Sequence, residues 1–498
     1  MTRTRKILAW VTLLGFALAL RVGLAVGRPN IFFPGEIFQT LEPAHRLVYG
    51  YGVIPWEWRL GIRSWVLPAF LAGVMRVTAW MGPASAGYLL GTTITLSLIS
   101  LVTIWFGYAW AKRASGTPAA VVAALACSFY FGLVYFAPKA LTEMVAAHVM
   151  LPGLYLGIYG QKLGERKRLF LAGLFCGLAA CLRIQLLPAI VFAVVYFCYP
   201  RWRARAPAVV AGVTVPVLLF GVVDWITWSY PWQSFIRYYE FNLVRGPGKE
   251  LTLVQPWYWY PMVILLLIGP AILFLFHGAR RSPFLAVFCV IVVISHSAIP
   301  HKEVRFIYPI LAPAITLAAM GVVDLLAEMK RGVKFLDNRK WVAAIGAMRL
   351  LGSSAMLAAQ CADWYKTSWG IGAFDRLSRE AGLCGVGIYD RIYWESGGYT
   401  HLHRDVPMVQ VGSAAELAQD APIFNALIAP LNAPGVPSEF RQLQCWKGVC
   451  LLERPGTCAV TPADRELNAY LRRIGLYGVR ILSGRGGQKN GNPTEVSQ

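Results

Sequence analysis

The residues best suited to chemistry lie in the hexapeptide HKEVRF, which separates two apolar runs of near membrane-spanning length, residues 284–299 and 306–326. Its polar side chains are those of His301, Lys302, Glu303 and Arg305. Lys and Arg at a membrane face can hold an anionic group such as a phosphate, while His301 and Glu303 orient or bind it. Glu303 pairing with its cationic neighbours, in an ordinary solvated loop with anchoring charges, is the alternative.

A second group of charged residues lies early in the chain. The sequence GEIFQTLEPAHRLVYGYGVIPWEWR, residues 35–59, contains Glu36, Glu42, His45, Arg46, Glu57 and Arg59. Glu36 is our candidate for a general base that deprotonates an attacking hydroxyl; the alternative is that it caps the following helix. Glu42 and Arg46 have the i, i+4 spacing of an intrahelical ion pair. Such a pair and substrate binding are the two alternatives for these residues. Glu57 and Arg59 stand among tryptophans, which also anchor proteins at membrane interfaces.

Further candidates lie outside these two motifs. Arg183, with Gln185 beside it, interrupts the apolar stretch 169–199, so it needs an anionic partner, either a phosphate or a carboxylate. The weaker candidates for substrate binding are Lys139, Glu143, Asp224, Asn242 and Trp257. Asp224 fits a satisfied polar residue equally well, and Trp257 fits either sugar stacking or membrane anchoring.

The composition indicates a membrane protein. Of 498 residues, 57% are hydrophobic and 14% are charged, whereas a soluble chain carries about a quarter charged residues. The formal net charge of +22 would suggest nucleic acid for a soluble protein. Here Lys and Arg are grouped between apolar segments, so membrane topology explains the charge and we expect no nucleic-acid partner.

Apolar segments and basic loops together predict about eleven transmembrane helices with a cytoplasmic N terminus. The strongly basic connections then fall in the cytoplasm, and both motifs fall on the opposite, outer face. The segment 65–80 is predicted to lie in the interface, because a full crossing would place the basic residues 112–113 outside. Residues 169–199 have basic residues at both ends, which predicts a helical hairpin with Arg183 at its outer tip.

The predicted organisation is a transmembrane domain over residues 1–361, whose first outer loop, 28–86, carries juxtamembrane helices. A small extracytoplasmic α/β or mixed domain follows at 362–482, with strands at 385–389 and 426–429. Residues 483–498 are predicted to be disordered. Four cysteines of the outer domain, Cys384, Cys445, Cys450 and Cys458, predict disulfides with three possible connectivities. A zinc site is the alternative, although no CxxC pair is present.

Both motifs resemble those of one family, the lipid-sugar-dependent α-mannosyltransferases that build GPI anchors and the N-glycan precursor (glycosyltransferase family twenty-two, of the membrane-embedded GT-C type). HKEVRFIYPI is similar to the family's HKExRF signature. Residues 34–59 are similar to its first-outer-loop pattern, PDExFQxLEPAHxxxYGxGxxTWEWR. The resemblance covers about residues 1–330. The family pattern has Asp at position 35, where this chain has Gly35, so either Glu36 substitutes as the base or the chemistry is altered.

The resemblance implies an all-α polytopic GT-C-like fold and transfer of mannose, with inversion, from polyprenyl-phosphate-mannose to a lipid-linked or surface glycan. The implied partners are that donor, the acceptor and membrane lipids. No Walker loop, DxD pair or HExxH motif stands out, so we expect neither a cofactor nor a metal. We expect a bacterial inner membrane with a periplasmic site; the endoplasmic reticulum is the alternative. Transfer of another sugar, a lipid-linked-sugar flippase and a noncatalytic homologue stay open.

Overall fold

The structure is a computed structural model. It describes residues 2–160, 162–244, 254–329, 339–360 and 367–474. The predicted disordered tail, 483–498, and most of the basic loop at 330–340 lie outside these residues. Within them, six helical segments are long and apolar enough to cross a bilayer: Arg3–Gly27, Ala86–Ala114, Trp202–Thr227, Trp259–Arg281, Val304–Met329 and Lys340–Ala359. The chain is an integral, multi-pass membrane protein.

Helices dominate the first 360 residues. They are α1 Arg3–Gly27, α2 Glu42–Tyr49, α3 Trp56–Arg59, α4 Val66–Thr78, α5 Ala86–Ser100, α6 Val102–Ala114, α7 Thr117–Phe129, α8 Phe131–Phe136, α9 Thr142–Tyr159, α10 Glu165–Leu182, α11 Leu187–Cys198, α12 Trp202–Thr227, α13 Gln233–Tyr239, α14 Trp259–Ile268, α15 Leu275–Arg281, α16 Pro283–Ser297, α17 Leu311–Met329 and α18 Arg339–Gln360. Four shorter apolar helical segments accompany the six long ones, so the helical class is confirmed. The count of eleven spans stays a prediction.

Arg183 marks a break between two helices, as the hairpin prediction requires. Helix α10 ends at Leu182, Arg183 adopts an extended backbone, and α11 begins at Leu187. Pro188 in the first turn of α11 favours a helix start there, because its missing N–H would have no intrahelical acceptor anyway. The break leaves the Arg183 side chain at the end of α10 instead of within a lipid-facing helix.

Two glycines bring α10 and α12 into close contact. A Cβ atom on Gly173 would lie 2.2 Å from the backbone oxygen of Val209, and one on Gly212 would lie 2.1 Å from that of Phe170. The helix backbones approach this closely only because neither residue has a side chain. Larger residues at either position would push α10 away and move Arg183 with it.

The outer domain contains a five-stranded mixed sheet with strand order β2-β1-β3-β5-β4. The strands are β1 Val386–Tyr389, β2 Met408–Val411, β3 Ala426–Pro430, β4 Arg441–Trp446 and β5 Val449–Glu453. Strand β1 pairs in parallel with β2 and β3, and β5 pairs antiparallel with β3 and β4. The domain's helices are α19 Ser368–Leu377, α20 Gly398–Leu402, α21 Ala414–Asp420 and α22 Leu467–Ile474. Both predicted strands are present, and the domain limits stay predictions.

The four outer cysteines form two disulfides, Cys384–Cys458 and Cys445–Cys450. The first encloses 74 residues of sequence and the second only 5. By loop entropy alone the long link contributes roughly 4 kcal/mol and the short one about 2 kcal/mol. We therefore expect Cys384→Ser/Cys458→Ser to lower the thermal midpoint of the protein more than Cys445→Ser/Cys450→Ser. Differential scanning fluorimetry of the two double variants checks this, and an equal or reversed order would contradict it.

Candidate active site

Glu36 opens a π-helical turn, Glu36–Leu41, that follows α1. Its Oε1 lies 3.2 Å from Lys139 Nζ and accepts the backbone N–H of Phe32 at 3.3 Å. Its Oε2 is buried and has no hydrogen-bond partner among the described residues. Burial raises the pKa of Glu36, and Lys139 opposes that rise only in part. The result is a buried carboxylate of increased basicity with one oxygen that no described protein group satisfies.

A cavity of about 410 Å³ adjoins Glu36 and Lys139, a volume within the roughly 300–1,000 Å³ typical of ligand sites. Helices α1 and α5 supply its membrane side, with apolar residues such as Leu24, Leu89 and Leu90. The outer domain supplies polar residues such as Asp375, Arg379 and His401. Apolar residues of the membrane helices and polar residues of the outer domain therefore line the same cavity.

The HKEVRF segment forms a buried network of charges with Glu143. Arg305 Nη1 lies 2.8 Å from Glu143 Oε1, and Arg305 Nε donates to Glu303 Oε2 at 2.7 Å. His301 Nε2 lies 2.7 Å from the other oxygen of Glu303. Burial alone would raise the pKa of Glu303, but Arg305 and His301 outweigh it and bring the pKa to about 2. In the described structure, Arg305 is thus neutralised by two carboxylates.

Arg183 approaches the same carboxylate from the helix break. Its Nη1 lies 3.2 Å from Glu143 Oε1, and its guanidinium stacks on the Phe306 ring at 4.4 Å. Nε and Nη2 of Arg183 are buried and have no hydrogen-bond partner among the described residues. Arg183 and Gln185 also line a second, smaller cavity of about 70 Å³. Two buried donor nitrogens without partners in the described structure, in a side chain that lines a cavity, make Arg183 a candidate for binding an anion.

The other candidates near these residues make separate contacts. Lys302 donates to the backbone oxygens of Gln255 and Ile299, at 2.9 and 2.6 Å, and does not join the Arg305 network. Gln185 donates to the Tyr238 hydroxyl, Asn242 to the Tyr238 backbone oxygen, and Asp224 accepts from the backbone and hydroxyl of Ser234. Trp257 is 72% exposed. The structure therefore links Arg183 with Arg305 and Glu303 through Glu143, and only Gln185 among these other candidates lines the second cavity with Arg183.

Several residues of the first outer loop contact the outer domain or one another. Glu42 is fully buried and accepts the backbone N–H groups of Val53, Tyr399 and Thr400. His45 Nε2 lies 3.2 Å from His403 Nδ1, and burial together with that second imidazole lowers the pKa of His45 to about 3. These residues join the loop to the outer domain.

The remaining charged residues of the loop have distinct positions. Arg59 donates to the backbone oxygen of Asn468, whereas Arg46 is exposed. Glu57 pairs with Arg63 at 2.6 Å and accepts from Gln39 at 2.8 Å. Glu57, like Glu36, has one buried oxygen without a hydrogen-bond partner among the described residues. Glu36 differs from Glu42 and Glu57 because it lines the cavity.

Gly35 leaves a space that another side chain fills. A Cβ atom on Gly35 would lie 2.6 Å from Gln39 Oε1. The Gln39 amide is itself held by Glu57. An acidic residue at position 35, as in the family pattern, would displace this amide.

Arg21, Asp375 and His401 are among the buried or cavity-lining residues that the sequence motifs do not indicate. Arg21 lies in α1 and donates to Ser100 and to the backbone oxygens of Ala17, Cys127 and Ser128. An arginine inside an apolar span was a usable signal. Asp375 and His401 line the large cavity from the outer domain. Nothing in the sequence marks that pair, since ordinary soluble domains contain such residues.

Comparison with known proteins identifies the family. The sequence model of the Alg9-like mannosyltransferase family matches residues 12–366. GPI mannosyltransferase 3 from Yarrowia lipolytica is 28% identical over 413 residues, 80% of this chain and 76% of that protein. GPI alpha-1,2-mannosyltransferase 3 from Xenopus laevis is 24% identical over 325 residues, and the match spans only 59% of its length.

A solved structure shares the fold. The crystal structure of ArnT from Cupriavidus metallidurans bound to undecaprenyl phosphate superposes with a TM-score of 0.58 and covers 91% of this chain and 99% of ArnT. At 14% sequence identity, this likeness shows a common GT-C fold alone. The match of the family model to residues 12–366, more than half of the chain, establishes that the chain belongs to the Alg9-like mannosyltransferase family.

Proposed function

We propose that this protein transfers mannose, with inversion, from polyprenyl-phosphate-mannose to a lipid-linked or surface glycan at the outer membrane face. The observation that carries the proposal is the buried Glu36 carboxylate, whose Oε2 has no hydrogen-bond partner in the described structure, beside a cavity of ligand size. The outer face is the periplasm of a bacterium or, equivalently in topology, the lumen of the endoplasmic reticulum. Both named relatives above are eukaryotic, which supports the lumen.

In this reaction Glu36 removes the proton from an acceptor hydroxyl as its oxygen attacks C1 of mannose. The new glycosidic bond forms while the bond from C1 to the phosphate oxygen breaks, and the polyprenyl phosphate keeps the electron pair. Cations near the phosphate stabilise the charge that it gains. Attack opposite to the leaving group inverts the configuration at C1.

Arg183 is our candidate for that phosphate contact. Arg183 is 5% exposed, and its Nε and Nη2 have no hydrogen-bond partner among the described residues. The guanidinium of Arg305, in contrast, already pairs with two carboxylates, those of Glu143 and Glu303. The ArnT crystal structure bound to undecaprenyl phosphate supports a lipid phosphate as the ligand of this fold. His301, Glu303 and Arg305 then position Arg183 through Glu143.

The experiment supplies radiolabelled polyprenyl-phosphate-mannose to membranes that contain the protein and follows label into glycolipid. Transfer above that of matched membranes without the protein supports the proposal. Transfer of label from polyprenyl-phosphate-glucose or polyprenyl-phosphate-arabinose, but not from the mannose donor, would keep the reaction class and replace the sugar. Absence of transfer from all three donors, with native membrane lipids as acceptors, would overturn it.

Arg183→Lys tests the phosphate contact, because it keeps the positive charge but removes the planar fork of N–H groups. We expect KM for the polyprenyl-phosphate donor to rise about tenfold, the effect of one lost charge-assisted hydrogen bond, with a smaller change in kcat. Lys302→Arg is the reciprocal control at a cation that lies outside the network. An unchanged donor KM in Arg183→Lys would remove Arg183 from the donor site.

Lys139→Met tests the electrostatics of the proposed base. Glu36 acts when deprotonated, so the rate falls as pH drops through the pKa of Glu36. Lys139 lowers that pKa against the effect of burial, and its removal raises the pKa further. We expect the acidic limb of the pH–rate profile to move to higher pH, while the exposed Lys112→Met leaves it in place. A limb that stays or moves to lower pH would contradict the assignment.

A further inference from the structure

The cavity beside Glu36 has one wall that the membrane helices do not provide. Asp375 lies on α19, and Arg379 lies in the turn just after the end of that helix; both line the cavity. His401 comes from α20, and its Nδ1 lies 2.8 Å from Asp375 Oδ1. In the described structure no other hydrogen bond involves the His401 ring, so its Nε2 is available to a ligand. The wall therefore presents an imidazole, a carboxylate and a guanidinium to one space.

The wall is fixed in place by the residues next to His401. Glu42 accepts the backbone N–H groups of Tyr399 and Thr400 at 3.1 and 2.9 Å, and the Thr400 hydroxyl at 2.7 Å. The Tyr88 hydroxyl of α5 donates to the Thr400 backbone oxygen at 2.5 Å. These bonds attach α20 to the first outer loop and to the membrane domain. The position of His401 relative to Glu36 is thus set before any ligand binds, as positioning of a reactant requires.

The chemistry of this wall suits a sugar better than a phosphate. Sugar hydroxyls both donate and accept hydrogen bonds, and the wall offers an acceptor in Asp375 and a donor in Arg379. Lys139 and Arg379 add positive charge to the same cavity, so charge alone does not exclude a phosphate there. The combination of one acceptor with several donors matches the hydroxyl groups of a sugar, whereas the buried Arg183, beside the second cavity, offers donors alone.

We infer that Asp375, Arg379 and His401 bind the glycan of the acceptor and present its hydroxyl to Glu36. This assignment rests on the proposed function and identifies the acceptor in that reaction. The acceptor is a glycolipid, because the same cavity continues along apolar residues of α1 and α5, including Leu24, Leu89 and Leu90. Its lipid part lies along these helices and its sugar part lies under the outer domain.

The test uses octyl mannoside, a sugar on an apolar chain, with octyl phosphocholine as the sugar-free probe. Binding to the purified full-length protein in nanodiscs is measured for the parent, Arg379→Ala and His401→Ala. We expect the parent to prefer octyl mannoside, and each variant to bind it about tenfold more weakly, as for loss of one hydrogen bond to a charged group. Arg379 is exposed, so its removal leaves the fold intact even if His401→Ala disturbs it.

Arg376→Ala is the matched control, because Arg376 lies three residues before Arg379 and is also exposed, but does not line the cavity. We expect it to bind octyl mannoside like the parent. Equal affinities of Arg379→Ala and Arg376→Ala, or a parent that does not distinguish the two probes, would overturn the inference.

Donor hydrolysis separates this inference from the proposed function. Without acceptor, slow release of mannose from radiolabelled polyprenyl-phosphate-mannose reports the donor side alone. We expect Arg379→Ala to keep this release within about twofold of the parent but to lose about tenfold in transfer to octyl mannoside. Transfer equal to the parent would overturn the inference. A parent without release or transfer would overturn the proposed function, while the binding comparison still decides whether the wall holds a sugar.

Discussion

Glu36→Gln is expected to reduce mannosyl transfer by about 10²–10⁴-fold, the usual contribution of a positioned general base. The amide has nearly the same shape, and its oxygen can still accept from Lys139 and from the Phe32 backbone, as Glu36 Oε1 does. The variant loses the ability to take a proton at Oε2 and the negative charge that faces Lys139. We therefore expect kcat to fall with little change in donor KM, and the thermal midpoint to fall less than in Glu143→Gln, which removes a carboxylate shared by two arginines.

Glu395→Gln is the matched control for this experiment. Glu395 is also partly buried, and burial likewise raises its pKa, but it does not line the cavity. Transfer that survives Glu36→Gln would remove Glu36 as the base and direct the search to Glu57 or Asp224. The double variant Gly35→Asp/Glu36→Gln adds a second comparison. Recovered transfer there would show that an acid at position 35 can replace Glu36 after displacing the Gln39 amide.

Glu143→Gln is expected to destabilise the protein by about 3–5 kcal/mol, because it removes one partner from a buried charge network. Glu143 has no exposed surface, and its Oε1 faces both Arg183 and Arg305. Arg305 keeps Glu303 as a partner after the change, but Arg183 loses its carboxylate. We expect the largest fall in thermal midpoint among the single glutamate-to-glutamine variants when all are measured in the same detergent.

Glu165→Gln is the matched control, because Glu165 also pairs with two arginines but does so at the protein surface. Glu165 also lies between two arginines, at 2.6 Å from Arg201 and 2.9 Å from Arg205, but its side chain is 40% exposed. Water screens such a pair, so its loss costs about 0–1 kcal/mol. A similar fall in thermal midpoint for both variants would show that burial adds nothing to the Glu143 network.

The parts of the fold that follow local sequence patterns were predictable. The length of the apolar segments predicted the helical class, and the basic residues at both ends of segment 169–199 predicted the break at Arg183. Short apolar runs predicted strands β1 and β3. The motif residues Arg305 and Glu303 were recognisable for the same reason, since they lie close together in the chain. Each of these features depends on neighbours within about one element of secondary structure.

The partners across the chain were not predictable from these patterns. Glu42 was expected to bind substrate or to pair with Arg46, yet its carboxylate holds backbone groups of Tyr399 and Thr400, more than 350 residues away. Arg183 was expected to need an anion, but which of several carboxylates it meets depends on how α9 and α10 pack. His401 lines the same cavity as Glu36 because the outer domain packs against the first outer loop. Such contacts depend on tertiary packing, which no spacing in the sequence encodes.

Arg21 has a consequence for how the protein enters the membrane. An unpaired arginine inside a membrane helix costs roughly 3 kcal/mol. The groups that satisfy Arg21 from other helices are Ser100 and the backbone of Cys127 and Ser128, which lie 79 to 107 residues later in the chain. A ribosome makes those residues only after α1 has emerged. The first helix therefore reaches its final, fully bonded position late in biogenesis, once α5 and α7 have been inserted beside it.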